Sequence, residues 1–498
     1  MTKIECEKGA EFTTSKFSGY DEITGIAVPE SVTVLTFGSS EPNAKPELYR
    51  LQDVKETFPQ VTELHICKNV PLLEITNQMF PNVRKVVSDS PAYVSGTMLV
   101  EHRFSKSYAL RNSFCLADGE EIDLSGIQRI EQHAFCGCQS TNIKNAAEVV
   151  LADASAFEGS AFFNSPKDGL YLAGDNILIG ICEGMDIVIP NTVTCIATGV
   201  PLDKAKSLTI QNLSLLRHHD AYVGAELVNP MMLVSVPAHL TCPAITEENL
   251  PILMALCRQN SSGMEYLTAS GCGLQTREGL LYSQDGTTLV RCPASRHGAL
   301  TIPKGTLAIS KGAFFNCSLD SLQIPGSVEV IAKRTFRDCI RLSRVELEPG
   351  VKKIEQLAFS CPSIGCITVP DTVEQIGAKA FLHAKTVIIS GSRIPAGLFA
   401  SITASKESDL AVSSPYGPFV DIKQHKYTAL QFDDFTNYIP KFVHKEAAKT
   451  KLTAANYKDS FIHVAQKKGE AQEIAYQYLE YLCKNGVSIT KLLSRNPV

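Results

Sequence analysis

The feature that most constrains this chain is a period. Between Leu300 and Ala384, Ile302-Pro303, Ile324-Pro325, Leu347 with Pro349, and Val369-Pro370 open successive units, and Ile309, Ile331, Ile354 and Ile376 follow in step. Phe314, Phe336, Phe359 and Phe381 then recur 22, 23 and 22 residues apart. A fixed repeat in this range means that each unit buries its apolar face against its neighbours, so the chain grows in one dimension as a solenoid. Length therefore does not count domains in these 498 residues, because a solenoid escapes the size limit of a single globular core.

One unit can be read physically. In Ser321-Leu322-Gln323-Ile324-Pro325 apolar and polar residues alternate, the pattern of a half-buried strand, and Pro325 lacks the N–H needed to extend it. Val328 and Ile331 mark a second inward corner, and Arg334-Thr335-Phe336 predicts a short helical turn whose ring joins a phenylalanine spine. Glu329, Lys352 and Glu374 share a column and alternate in sign.

The run Ile324-Pro325-Gly326-Ser327-Val328-Glu329-Val330-Ile331, followed by Phe336 and Cys339, resembles the BspA-type leucine-rich repeat family. The resemblance is specific over residues 300 to 385, scattered elsewhere and absent after about 420. Unit three departs from it, since Glu348-Pro349-Gly350-Val351 is one residue short between Pro and Val. The last unit, from Val387 to Phe399, is truncated and reads as the end of the solenoid. What the resemblance implies is a strand-rich α/β leucine-rich-repeat solenoid; relatives of this kind are often described as surface or adhesive molecules.

Along the chain, residues 1–110 read as degenerate N-terminal repeats, with Phe58-Pro59 and Phe80-Pro81 falling 22 apart. Residues 111–210 read as a first repeat block, in which Ile130, Phe135 and Cys138 keep the later spacing. Leu170 to Ile179 and Leu280 to Val290 each place two apolar runs around a turn, which predicts two β-hairpin insertions. Residues 211–275 are irregular and hold a candidate helix between Pro243 and Asn260. Residues 276–400 form the regular block with the second hairpin, and the Ser/Gly/Pro-rich 401–420 reads as a linker. In 421–498, Ala471, Ile474, Ala475, Tyr478, Leu479 and Leu482 repeat at helical spacing, which predicts a small C-terminal α-helical domain packed on the last coil.

The net charge of −5 argues against a general nucleic-acid binder, although residues 421–498 hold 12 Lys+Arg against 8 Asp+Glu. No run of 18 apolar residues occurs, so no membrane-spanning helix is expected, and no apolar leader follows Met1. On this reading the chain is cytoplasmic, with the cell surface as the alternative if a leader was removed. The 16 cysteines form no C-x-x-C pair; Cys138, Cys317 and Cys339 each fall three residues after a spine phenylalanine and read as small buried packing residues.

Motifs that carry chemistry are sparse. His218-His219-Asp220 are adjacent and point apart, His133 with Cys136 and Cys138 lacks a fourth ligand, and Gly271-Cys272-Gly273 lacks the third glycine of a dinucleotide loop. No metal, cofactor or catalytic residue is assigned. The expected function is a non-enzymatic protein-interaction scaffold with a protein partner. A surface adhesin, a self-assembling structural protein, or an enzyme with a site in 211–275 are the alternatives. Thr301, Gln323, Glu346 and Thr368 are the binding-face candidates, each the outward residue between two inward ones on its strand.

Overall fold

The computed structural model describes residues 2–5, 10–17, 20–103, 107–217, 222–223, 226–227, 233–259, 263–384, 386–389, 395, 401, 411–414 and 417–421. They fall into two compact units, Met1–Pro237 and Ala238–Val498. Each is a strand-rich β-solenoid. Among the described residues the one α-helix is Leu250–Leu256, so the helical content expected of an α/β chain is met only by this segment and by short 3-10 turns. The expected C-terminal helical domain lies outside the described residues.

Each coil of the regular block in the second unit contributes one strand to each of two parallel ladders. The longer ladder runs His297–Thr301, Ser318–Ile324, Arg344–Leu347, Cys366–Val369, Thr386–Ile389 and Ala411–Ser414. The shorter one runs Thr288–Arg291, Ala308–Ile309, Val330–Ile331, Lys353–Ile354 and Gln375–Ile376. The longer ladder does not stop near Phe399. It continues past the expected truncation with Ala411–Ser414 and is turned back by the antiparallel strand Gly417–Asp421, inside the stretch read as a linker.

Both expected hairpins are present. Leu170–Ala173 pairs antiparallel with Ile177–Ile181, and Leu280–Ser283 with Thr288–Arg291. Among the further hairpins of the first unit that were not legible are Glu11–Phe17 with Tyr20–Ala27 and Leu99–Arg103 with Ser107–Asn112. These four hairpins share one role: the second strand of each begins a parallel ladder, to Glu47–Arg50, Ile127–Ile130, Cys195–Ile196 and Ala308–Ile309. Parallel strands need a long crossover between them, which the rest of a coil supplies, whereas a hairpin needs only a turn and can start a ladder locally.

The spine is as expected; its corner is the 3-10 turn Ala154–Phe157 at Phe157, but in the regular block it is not helical. Phe314 and Phe336 stack at 4.8 Å and 25°, and Phe336 and Phe359 at 4.8 Å and 2°. Phe135 and Phe157 do the same in the first unit at 5.1 Å. The residue two before the phenylalanine takes a left-handed backbone at His133, Gly312, Arg334, Leu357 and Lys379, with φ between 56° and 66°. A right-handed helix cannot pass through such a residue. The turn instead aims the phenylalanine N–H at the next coil: Phe314 donates to the Thr335 carbonyl, Phe336 to Ala358, Phe359 to Ala380 and Phe381 to Ser401, at 2.9–3.1 Å. Ring stacking and backbone bonding thus reinforce the same coil-to-coil contact.

The displaced proline of the third unit, at Pro349, falls at a close backbone approach. Gly326 and Gly350 face each other so closely that a Cβ on Gly326 would lie 1.8 Å from the Pro349 carbonyl oxygen. Gly350 sits at φ +126°, where a side chain is strained, and its N–H donates to the Thr372 hydroxyl at 2.9 Å. Two backbones meet here, and only glycine fits between them.

Candidate interaction surface

On the longer ladder of the second unit, Leu322, Val345 and Ile367 point inward and are buried, and the alternation of the strand turns their neighbours outward. The register pairs Thr301 with Gln323, Gln323 with Glu346, and Glu346 with Thr368, so the four expected residues stand in one column. Ile388 occupies the next place. Thr301 and Glu346 are exposed and Gln323 and Thr368 half-buried. The Thr301 hydroxyl lies 3.4 Å from the Gln323 side-chain oxygen, the Gln323 amide donates to Glu348 at 3.0 Å, and Arg344 stands 3.9 Å from Glu346. The column is therefore polar, partly tied along its length, and presents hydroxyl, amide and carboxylate groups at the strand spacing of about 4.8 Å.

A second surface feature was not read from the sequence. In the first unit the ladder Tyr20–Ala27, Glu47–Arg50, Leu72–Glu74 ends, and the hairpin 99–112 begins another. The Tyr93 hydroxyl covers the exposed edge, accepting from the Leu73 N–H at 2.6 Å. Burial pushes the Tyr93 hydroxyl pKa up, so the group stays protonated and can return a hydrogen bond to the Leu73 carbonyl at 3.5 Å. Beside this edge lies a cleft of about 320 Å³ whose lining includes Glu74, Arg111, Arg129, Glu131, His133 and Asp153.

The charges of the cleft are already engaged. Arg111 pairs with Glu101 at 2.5 Å, Arg129 with Glu131 at 3.4 Å, and Glu74 with Arg50 at 3.1 Å. Asp153 accepts from the Ser155 N–H at 2.9 Å and the Ser155 hydroxyl at 2.6 Å, with Gln132 and Thr198 each at 3.3 Å. Burial works against the Asp153 carboxylate, yet these bonds hold its pKa below the usual range. The acids and bases are thus committed to one another and to turn capping. The signal that could have found the cleft is Glu131 and Asp153, 22 residues apart at the same position of successive coils.

The other candidates differ in their surroundings. Cys138 is buried, with its thiol 3.6 Å from the Leu116 and Ser140 carbonyls, whereas His133 is exposed. The Cys136 carbonyl accepts from the Asn77 amide at 2.6 Å. Among the described residues no group of three or more His, Cys, Asp or Glu is placed to hold a metal ion. His218, His219 and Asp220 lie outside the described residues. Within 211–275, His239–Cys242 and Tyr266–Gly271 pair in parallel, so coil geometry persists on either side of the helix. The thiols of Cys317, Cys339 and Cys361 approach backbone carbonyls of the preceding coil at 3.7, 2.9 and 3.0 Å. No described helix is long and apolar enough to cross a membrane.

Comparison with known proteins places these repeats. No curated protein matches the sequence. Among solved structures, the chain is similar to a leucine rich cell surface protein from Faecalibacterium prausnitzii A2-165, at 17% identity, 83% of this chain, 95% of that chain and a TM-score of 0.27. It is also similar to the pneumococcal vaccine antigen PcpA, at 14% identity, 83% of this chain, 85% of that chain and a TM-score of 0.24. A leucine-rich repeat protein from Bacteroides ovatus matches at 16% identity, over 76% of this chain and 92% of that chain, with a TM-score of 0.21. The family model of the BspA type leucine rich repeat region matches in six copies over residues 110–200 and 295–400. These spans contain the spine phenylalanines, the left-handed corners and most of the parallel ladders described above, and across them the chain carries repeats that match the BspA type leucine rich repeat region.

Proposed function

We propose that this chain is a non-enzymatic scaffold that binds a protein partner along the outward face of the longer ladder in its second unit. The observation that carries this reading is the register that aligns Thr301, Gln323, Glu346 and Thr368 in one polar column. A row of hydroxyl, amide and carboxylate groups on a stacked sheet suits a protein surface, whose hydrogen-bonding groups are mixed, better than a phosphate backbone, which calls for repeated cations. A solenoid spends its regularity on such a continuous face. The cytoplasmic location expected from the sequence belongs to this reading, supported by thiols that serve as core residues, and cell fractionation separates it from display at the surface.

Site-specific photo-crosslinking in the native cells tests the proposal. A crosslinker at Gln323 or Glu346 should capture a discrete protein adduct, and one at Ile340, which is 57% exposed and off the column, should not. The double substitution Gln323→Arg with Glu346→Arg should abolish capture from Thr368 while leaving the melting temperature unchanged. Equal capture from Ile340 and the column, or none from the column, overturns it.

A further inference from the structure

Buried charges in folded proteins are paired or hydrogen-bonded, because an unpartnered guanidinium loses its hydration without replacement. One arginine of the second unit departs from this. Arg291 closes the strand Thr288–Arg291 and is 5% exposed. One of its terminal nitrogens donates to the Gly312 carbonyl, and its Nε has no hydrogen-bond partner. Cys292, the next residue, donates its N–H to the Ala313 carbonyl at 2.9 Å, which fixes the strand end against that turn.

The charge that acts most strongly on Arg291 has its own sign: it is Arg258, just past the helix Leu250–Leu256. The Ala294 N–H donates to the Cys257 carbonyl at 2.9 Å, which docks the end of the helix, with Arg258 next in sequence, onto the segment that follows Arg291. Burial, and then Arg258, push the Arg291 pKa down. The thiols around it supply no negative charge, since burial pushes Cys257 up to about 12 and Cys317 well above its usual value. Neither arginine is in an ion pair with a described carboxylate. Arg258 is exposed, so the pair has an open side.

We infer that Arg258 and Arg291 form a binding site for one oxyanion, a phosphate or a carboxylate, held between the end of the helix Leu250–Leu256 and the turn at Gly312. The planar forks of two guanidinium groups match the oxygens of either anion, and a bound oxyanion cancels the repulsion that the structure otherwise holds. The column of Thr301, Gln323, Glu346 and Thr368 takes no part in this site, and the two readings stand or fall separately.

Thermal melts of the full chain test it, with sodium phosphate, sodium acetate or sodium chloride added at matched ionic strength. Phosphate, acetate or both should raise the melting temperature saturably, and chloride should not. Saturation by phosphate alone identifies a phosphoryl group as the ligand, and saturation by acetate as well identifies any small oxyanion, including a carboxylate. Arg258→Gln, at an exposed position, should weaken the apparent affinity by roughly tenfold or more, the effect of losing about 1.4 kcal/mol of binding. A shift with no saturation, no difference from chloride, or the same affinity in Arg258→Gln would overturn the inference.

Discussion

Replacing Phe336 with alanine probes the element on which the regular block rests. Its ring is fully buried and lies between Phe314 and Phe359 with centroids 4.8 Å away on either side. Phe→Ala in a core costs about 3–5 kcal/mol from lost transfer energy and the cavity left behind. Two stacked partners rather than one place this residue toward the upper end, since an aromatic pair adds roughly 0.5–1.5 kcal/mol beyond area. Phe336 also donates its N–H to the Ala358 carbonyl at 2.9 Å, so loosening the ring exposes a coil-to-coil hydrogen bond. Long repeat arrays need not unfold in one step, and amide hydrogen exchange is therefore the better assay than a single midpoint. A loss of 3–5 kcal/mol corresponds to faster exchange at Phe314, Phe336 and Phe359 by about 10² to 10³ or more, at 1.4 kcal/mol per tenfold. Amides of the first unit should not change. Ile340→Ala, at a residue 57% exposed, serves as the control and should stay within about 0.5 kcal/mol. An effect of Phe336→Ala below about 1 kcal/mol, or one spread evenly over both units, would refute the spine as the source of cohesion.

Other perturbations test other contacts. Gly326→Ala places a Cβ 1.8 Å from the Pro349 oxygen, so the coils must separate, and a urea midpoint should fall by the equivalent of about 1–3 kcal/mol or more; Gly365→Ala, where the closest atom is at 3.2 Å, should cost less. Asp153 has its carboxyl pKa held below the usual value, so its contribution is present above the unfolded pKa of about 3.9 and is lost as the pH falls through the folded value. The melting temperature of Asp153→Asn should therefore lie below the parent at neutral pH and converge with it in acid; a gap that widens in acid would reverse the assignment. With a thiol reagent on the native protein, exposed Cys272 should react at once and buried Cys257, Cys292, Cys317, Cys339 and Cys361 should not, all becoming reactive on unfolding without reductant. Early labelling of Cys317 would show that its coil is open.

What the sequence determined by itself is the part that repeats. A coil touches only its neighbours, so residues at one position of successive units must meet, and spacing alone aligned Phe314 with Phe336 and Thr301 with Gln323. The opposed charges of Glu329 and Lys352 meet for the same reason, at 2.7 Å. The hairpins at 170–181 and 280–291 were legible from alternating apolar runs around a turn, whereas those at 11–27 and 99–112 carry weaker alternation. Tertiary structure decided what does not repeat. The handedness of the corners at Arg334 and Leu357 was hidden because neither residue type signals positive φ, and the demand comes from aiming the next N–H across to the following coil. The continuation through Ala411–Ser414 was hidden because backbone pairing needs no spine residue to hold it. The cleft beside Leu73 and the docking of Cys257 on Ala294 depend on where one ladder stops and where a helix ends. Those are contacts between unlike segments, set by the path of the whole chain, and no local period encodes them.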